Sequence, residues 1–174
     1  MIDDLRPSLP TTPRQDWIGR LLRGIAIRIG SLAWLPRLLP QITAIDKFIQ
    51  RRTSGRWSIL RVACLPGVLL TVPGRKSGVP RTTPLLCVPH GDSVFVAGSN
   101  FGGPTLPVWV NNLRAAADPT MLLGGRPTAI TAKELAGAER DEAWTVMVAL
   151  WPNYAKYAAR TDRTIPVFRL QPVE

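Results

Sequence analysis

Apolar residues recur at helical spacing near the N-terminus and at strand spacing beyond residue 57, and that change of period divides the chain. From Trp17 to Gly30, the residues Ile18, Leu21, Leu22, Ile25 and Ile29 form one apolar stripe, with Arg20 and Arg23 on the opposite side. Ile27 and Arg28 fit the stripe poorly. Pro36 and Pro40 interrupt the pattern, and Gln41 to Arg52 reads as a second helix with Ile42, Ile45 and Ile49 inward. The pattern predicts a basic, amphipathic helical extension over residues 1–56, opening with a proline-marked tail, and a separate domain over 57–174.

Short strands with turn punctuation fill the domain. Val68 to Val72 is a compact apolar strand ended by Pro73-Gly74, and Leu85–Val88 with Ser93–Ala97 flank a Pro89–Asp92 turn as a hairpin. Met121–Leu123 and Thr128–Thr131 form a second hairpin about Gly124-Gly125, and Val167–Leu170 supplies a closing strand. Helices are predicted over Pro107–Ala117, over Glu139–Leu150, and over Trp151–Arg160, the last restarted at Pro152. Few strands separated by single helices suggest an α+β barrel or half-barrel.

Composition narrows the chemistry. The chain has 174 residues, enough for one domain of ordinary size, and 45% hydrophobic against 20% charged residues is a globular balance. Its 22 basic and 12 acidic residues leave a formal charge of +10, concentrated in the N-terminal third, so it should seek anions: nucleic acid, acidic lipid or a phosphorylated cofactor. No nucleic-acid-binding motif accompanies that charge, which argues against the first. The single His90 lies in a Pro-His-Gly-Asp turn, and Cys64 and Cys87 sit in apolar runs as small buried hydrophobes. No metal site can be assembled from them. The acidic start is not a signal peptide, and Trp17 to Leu39 is broken by Arg20, Arg23, Arg28, Pro36 and Arg37, so no membrane span is predicted. A reducing cytoplasm suits the cysteines.

Three segments carry candidate chemistry. Thr71-Val-Pro-Gly-Arg-Lys-Ser-Gly78 runs from a strand into a turn bounded by Gly74 and Gly78, with Arg75, Lys76 and Ser77 between them and Arg81 beyond. These groups suit phosphate or carboxylate oxygens, although the spacing is not that of a Walker loop and a solvated basic tip has the same composition. Ala97-Gly-Ser-Asn100 follows a strand with small polar side chains, and Trp109, Asn112 and Leu113 then share a helix face. That combination suits a flat heteroaromatic ligand; core packing explains Trp109 equally well. Trp151, Tyr154 and Tyr157 recur every three residues, as a core stripe or as phenols able to donate a proton.

Taken in order, these pieces resemble the deazaflavin (coenzyme F-420)-dependent nitroreductases and quinone reductases of actinobacteria, split-barrel flavin-binding oxidoreductases. The likeness runs from about Gly67 to the C-terminus. It rests on the Thr71–Gly78 segment, Arg81 to Leu86, Pro107 to Leu113, Asp118-Pro119, and Tyr154 and Tyr157 followed by Thr161 to Val167. The resemblance implies a split β-barrel with flanking helices, and hydride transfer from reduced F-420 to a quinone, a nitroaromatic or another activated double bond. It places Arg75, Lys76, Ser77 and Arg81 on the cofactor phosphate and acidic tail. Thr83, Pro84 and Leu86 match the strand lining the ring site, with Leu86 on the substrate side. Ala97, Ser99 and Asn100 match the loop at the ring's polar edge, where many relatives carry Lys at the position of Asn100. Trp109 and Asn112 match residues flanking the ring. Trp151, Tyr154 and Tyr157 match an aromatic substrate-pocket set, the two tyrosines being the catalytic candidates. The alternatives are an FMN- or FAD-binding split-barrel reductase and a non-catalytic basic protein that binds lipid or cofactor. The basic extension would dock on an anionic membrane face, the inner side of the plasma membrane, where lipid-soluble acceptors reside. The sequence leaves oligomeric state open.

Overall fold

The computed structural model describes residues 24–29, 52, 65–123 and 126–173. Seven strands form one antiparallel sheet: β1 (Gly67–Pro73), β2 (Pro80–Leu86), β3 (Val88–His90), β4 (Ser93–Ala97), β5 (Thr120–Leu123), β6 (Arg126–Glu134) and β7 (Val167–Pro172). Their order is β2-β1-β5-β6-β7-β4-β3. Helices α1 (Val108–Arg114), α2 (Gly137–Leu150) and α3 (Asn153–Ala158) accompany them.

β6 makes the sheet curl. Its first part, Arg126 to Ala129, pairs with β5, and its second, Ile130 to Glu134, pairs with β7, so one strand serves two ladders in succession. The far strand β2 thereby returns close to β4, which is not its neighbour in the sheet. Period-two alternation decides which residues meet inside. Val68, Leu70 and Val72 of β1, Val94 and Val96 of β4, and Phe168 and Leu170 of β7 build one core with Val110 and Leu113 of α1. The alternate positions Phe95 and Val167 face a second core with Met147 of α2 and Tyr154 and Tyr157 of α3. A curled antiparallel sheet with both faces covered is the α+β split barrel that the sequence suggested.

Sequence expectations and outcome differ in three places. The predicted Leu85–Val88 strand is divided: Leu85 and Leu86 end β2, which begins at Pro80 and pairs with β1, and only Val88–His90 pairs with β4. Proline is admissible at the start of β2 because it is an edge strand, where Pro84 also lies without breaking a ladder. Second, Asn100–Gly102 is a short 3-10 turn rather than plain loop. Third, the stripe of the N-terminal helix is placed differently. Within the helical residues 24–29, Ala26 and Ile27 pack against the second core, whereas Ile25 and Ile29 are 45% and 48% exposed. Ile27, which fits the stripe poorly, thus packs inward with Ala26, and its carbonyl accepts a hydrogen bond from Asn153 of α3. The other stripe positions, the 41–52 helix except for helical Arg52, Cys64 and the Gly124-Gly125 turn lie outside the described residues. Among the described residues no helix is long and apolar enough to cross a membrane.

Candidate cofactor and substrate site

The β1–β2 hairpin ends in a tight basic tip. The Gly74 N–H donates to the Val79 carbonyl at 2.9 Å, and the Ser77 and Gly78 N–H groups donate to the Gly74 carbonyl at 3.0 and 2.7 Å. Gly78 takes φ +66°, a value few residues with a side chain adopt. At Gly74 a Cβ would fall 2.8 Å from Ser77 Oγ and 3.0 Å from Arg81 Nε, so glycine is what lets these two donors converge over the backbone. Arg75, Lys76, Ser77 and Arg81 are exposed. Among the described residues the three cations have no carboxylate partner, while Arg114, Lys133, Arg140 and Arg169 all do. Such a group of cations and a hydroxyl around one hairpin tip has the chemistry to accept anionic oxygens.

Asn112, matched by the resemblance to a residue flanking the ring, also bonds the basic tip. It is 4% exposed, and its Oδ1 accepts the Arg75 N–H at 3.2 Å, tying α1 to the basic tip. Trp109 on the same helix is 7% exposed and packs in the first core, its ring centroid 5.8 Å from that of Phe168. Strand register splits the β2 candidates. Arg81 and Thr83 sit opposite Val72 and Leu70 and share their face, while Pro84 and Leu86 sit opposite Leu69 and Gly67 on the other. Leu86 and Ala97 pack against the second core with the tyrosines.

The turn after β4 carries unusual backbone. Asn100 and Phe101 have φ of +46° and +54°, and Gly102 has φ +80°. A guanidinium that sequence reading assigned no role holds this turn: Arg163 donates from Nε to Gly103 O at 3.1 Å, from Nη1 to Gly98 O at 3.1 Å, and from Nη2 to Ser99 O at 2.6 Å. Burial pushes its pKa down. The only sequence signal was its place within the Thr161–Val167 segment, and an arginine that caps carbonyls has no distinguishing spacing. The Asn100 amide donates to Thr105 O at 3.0 Å, so it serves the loop itself. Ser99 is buried beside it.

Trp151, Tyr154 and Tyr157 are 7%, 3% and 2% exposed, members of the second core as a stripe should be. The two tyrosine rings meet edge-on at 6.1 Å, with Phe101 at 5.2 Å from Tyr157. Burial raises both phenol pKa values, and for Tyr157 the side chains of Trp151 and Asn153 act in the opposite sense as hydrogen-bond partners. Both phenols are therefore neutral donors at ordinary pH, not bases. His90 is exposed at the end of β3, just before the turn, and stacks on Phe95 at 4.8 Å.

The converging donors at the tip fit the phosphate and acidic tail of coenzyme F-420. Comparison with known proteins gives the family. The family model for F420-H(2)-dependent quinone reductases matches residues 44–172. The F420-H(2)-dependent quinone reductase of Mycobacterium tuberculosis is 33% identical over 138 residues, 77% of this chain and 93% of that protein. A solved F420-H2-dependent reductase shares 37% identity at a TM-score of 0.56, covering 61% of this chain and 94% of its own. A second solved structure, described as a domain-swapped dimer, shares 32% identity at a TM-score of 0.59 over 73% of this chain and 96% of its own. With a family model matched over residues 44–172 and a relative 33% identical across 77% of its length, this chain belongs to the family of F420-H(2)-dependent quinone reductases.

Proposed function

We propose that the basic hairpin tip binds the phosphate and acidic tail of F-420, that the 97–100 turn meets the polar edge of its ring, and that Leu86, Trp151, Tyr154 and Tyr157 form the acceptor side. When bound, the reduced deazaflavin supplies a hydride to the quinone. The chain contributes orientation, exclusion of water and a proton. Reduction of a quinone to its hydroquinone takes one hydride and one proton at oxygen, and a neutral phenol on α3 is suited to give or hold that proton. Nitro compounds suit the same aromatic surroundings. The observation that carries the reading is the cluster Arg75, Lys76 and Arg81, without carboxylate partners among the described residues, held to α1 through the Asn112 bond to Arg75.

Fluorescence titration with F-420, FMN and riboflavin tests it. F-420 is expected to bind most tightly, with affinity falling as salt is added. Equal affinity for riboflavin, which lacks a phosphate, would remove the assignment, and tighter FMN binding would favour a flavin-using relative.

A second reading concerns the extension. Ile25 and Ile29, one helical turn apart and both exposed, support contact with an anionic membrane face through a basic amphipathic helix. Sedimentation with anionic vesicles at low salt measures that contact.

A further inference from the structure

Left-handed backbone at two non-glycine residues costs about 1–3 kcal/mol each and persists only where surroundings impose it. In the Gly98–Gly103 turn those residues are Asn100 and Phe101, and beside the Asn100 amide bond to Thr105 O the turn is held by Arg163. Every nitrogen of its guanidinium is engaged with a backbone carbonyl, Gly98 and Ser99 on one limb of the turn and Gly103 on the other. No carboxylate pairs with it among the described residues, so its charge is directed wholly at the turn.

Peptide geometry then fixes the far side. No peptide bond here is cis, and in a trans peptide the C=O and N–H point in opposite directions. With the Gly98 and Ser99 carbonyls drawn to Arg163, the N–H groups of Ser99 and Asn100 must face away from it. The turn's internal bonds are made by other donors: the Gly102 N–H to Ser99 O at 2.9 Å and the Gly103 N–H to Asn100 O at 2.8 Å. Ser99 is right-handed at φ −72° and Asn100 left-handed at φ +46°. That sequence of conformations gathers successive N–H groups toward one point, the arrangement that receives anionic oxygens.

We propose that Arg163 is a positioning residue, whose three carbonyl bonds hold the turn so that the Ser99 and Asn100 N–H groups form a two-donor clamp for an electronegative edge of the bound ring. The charge behind the two peptide units polarises them, so the clamp favours an oxygen or nitrogen bearing negative charge. The inference rests on the reading that this turn meets the ring, and goes beyond it by naming what shapes the turn.

The test uses Arg163→Lys, Arg163→Gln and Ser99→Pro with two probes, oxidised F-420 and the deazaflavin with its ribityl chain but no phosphate or acidic tail. Ser99→Pro removes one outward N–H while leaving the guanidinium, and the φ of Ser99 suits proline. Fluorescence titration at low and high salt is paired with thermal unfolding. All three variants are expected to lose about tenfold in affinity for both probes at either salt, the change for losing one good hydrogen bond to a charged group. Arg163→Lys should do so while melting near the unaltered protein, because one ammonium cannot span both limbs of the turn. Lys76→Gln, at the tip, should weaken F-420 alone. Folded Arg163→Lys or Ser99→Pro protein that binds the tail-free probe normally would overturn the role of Arg163 and leave the cofactor assignment standing. Failure of the unaltered chain to bind either probe would overturn that assignment, and the clamp with it.

Discussion

Asn153 Nδ2 donates a 2.7 Å hydrogen bond to the carbonyl of Ile27. The helix that carries both tyrosines thus holds the N-terminal segment, across 126 residues of sequence. Asn153 is fully buried, its Oδ1 has no partner, and its other hydrogen bond is with the Tyr157 side chain. Deleting residues 1–30 should therefore cost stability, about 2–4 kcal/mol from lost packing of Ile27 and a stranded donor. Replacing Ile25 and Ile29 together by Ser should leave the melting temperature unchanged, because both are exposed, and should abolish sedimentation with anionic vesicles. Chemical denaturation of the two proteins separates an anchoring role from a surface one. An unchanged midpoint in the truncated protein would show that the contact with α3 contributes nothing.

Asn112→Ala removes the acceptor for the Arg75 N–H and frees the basic tip from α1. Stability should fall by about 1 kcal/mol, the worth of one hydrogen bond. Affinity for F-420 should fall several-fold, because the tip must then be ordered by the ligand. Asn112→Asp keeps an acceptor but sets a carboxylate beside the cations, and should weaken F-420 further at low salt than at high.

Gly102→Ala and Gly78→Ala distinguish space from conformation. At Gly102 a Cβ would meet Tyr157 O at 2.5 Å and Arg160 Cβ at 2.7 Å, in addition to the strain of φ +80°. At Gly78, φ is +66° but the space is open. The first change should cost upwards of about 2 kcal/mol and disturb the turn against α3; the second should cost about 1 kcal/mol. Urea midpoints give both numbers.

Tyr154→Phe and Tyr157→Phe should both fold. The Tyr157 change leaves Trp151 and Asn153 without a hydroxyl partner and should be the costlier, by about 1 kcal/mol. If Tyr157 gives the proton to the quinone, its variant should lose about 10²-fold in kcat with F-420 affinity intact. Unchanged turnover in both variants returns the pair to packing alone.

Stability should decline in alkali. Burial pushes the Cys87 thiol from 9.0 up to about 12, and both buried phenols also lie above their ordinary value. Groups held protonated by the fold contribute fully below their unfolded pKa, and that contribution is lost as pH rises toward the folded value. Denaturation midpoints should be flat to about pH 9 and then fall. Cys87→Ala should remove the part of the decline between about pH 9 and 10, before the phenols of the unfolded chain ionise.

Sequence alone determined most strands and helices of the domain, and by resemblance the family, because period and turn chemistry are local. Val68–Val72, Ser93–Ala97 and the restart of helix at Pro152 are each legible within a few residues. Gly74 to Arg81 announced its charge in the same way. What local pattern could not say is which residue meets which across the fold. Ile25 and Ile27 differ little as residues, and only the position of α3 makes one exposed and the other an anchor. Asn112 has two hydrogen-bonding faces, and only the packing of α1 on the hairpin assigns one of them to Arg75. Arg163 had no signal of its own, since its three partners are carbonyls, which every sequence supplies at every position. Tertiary structure decided these because each is a contact between distant segments, set by sheet curl and helix docking rather than by the identity of neighbours along the chain.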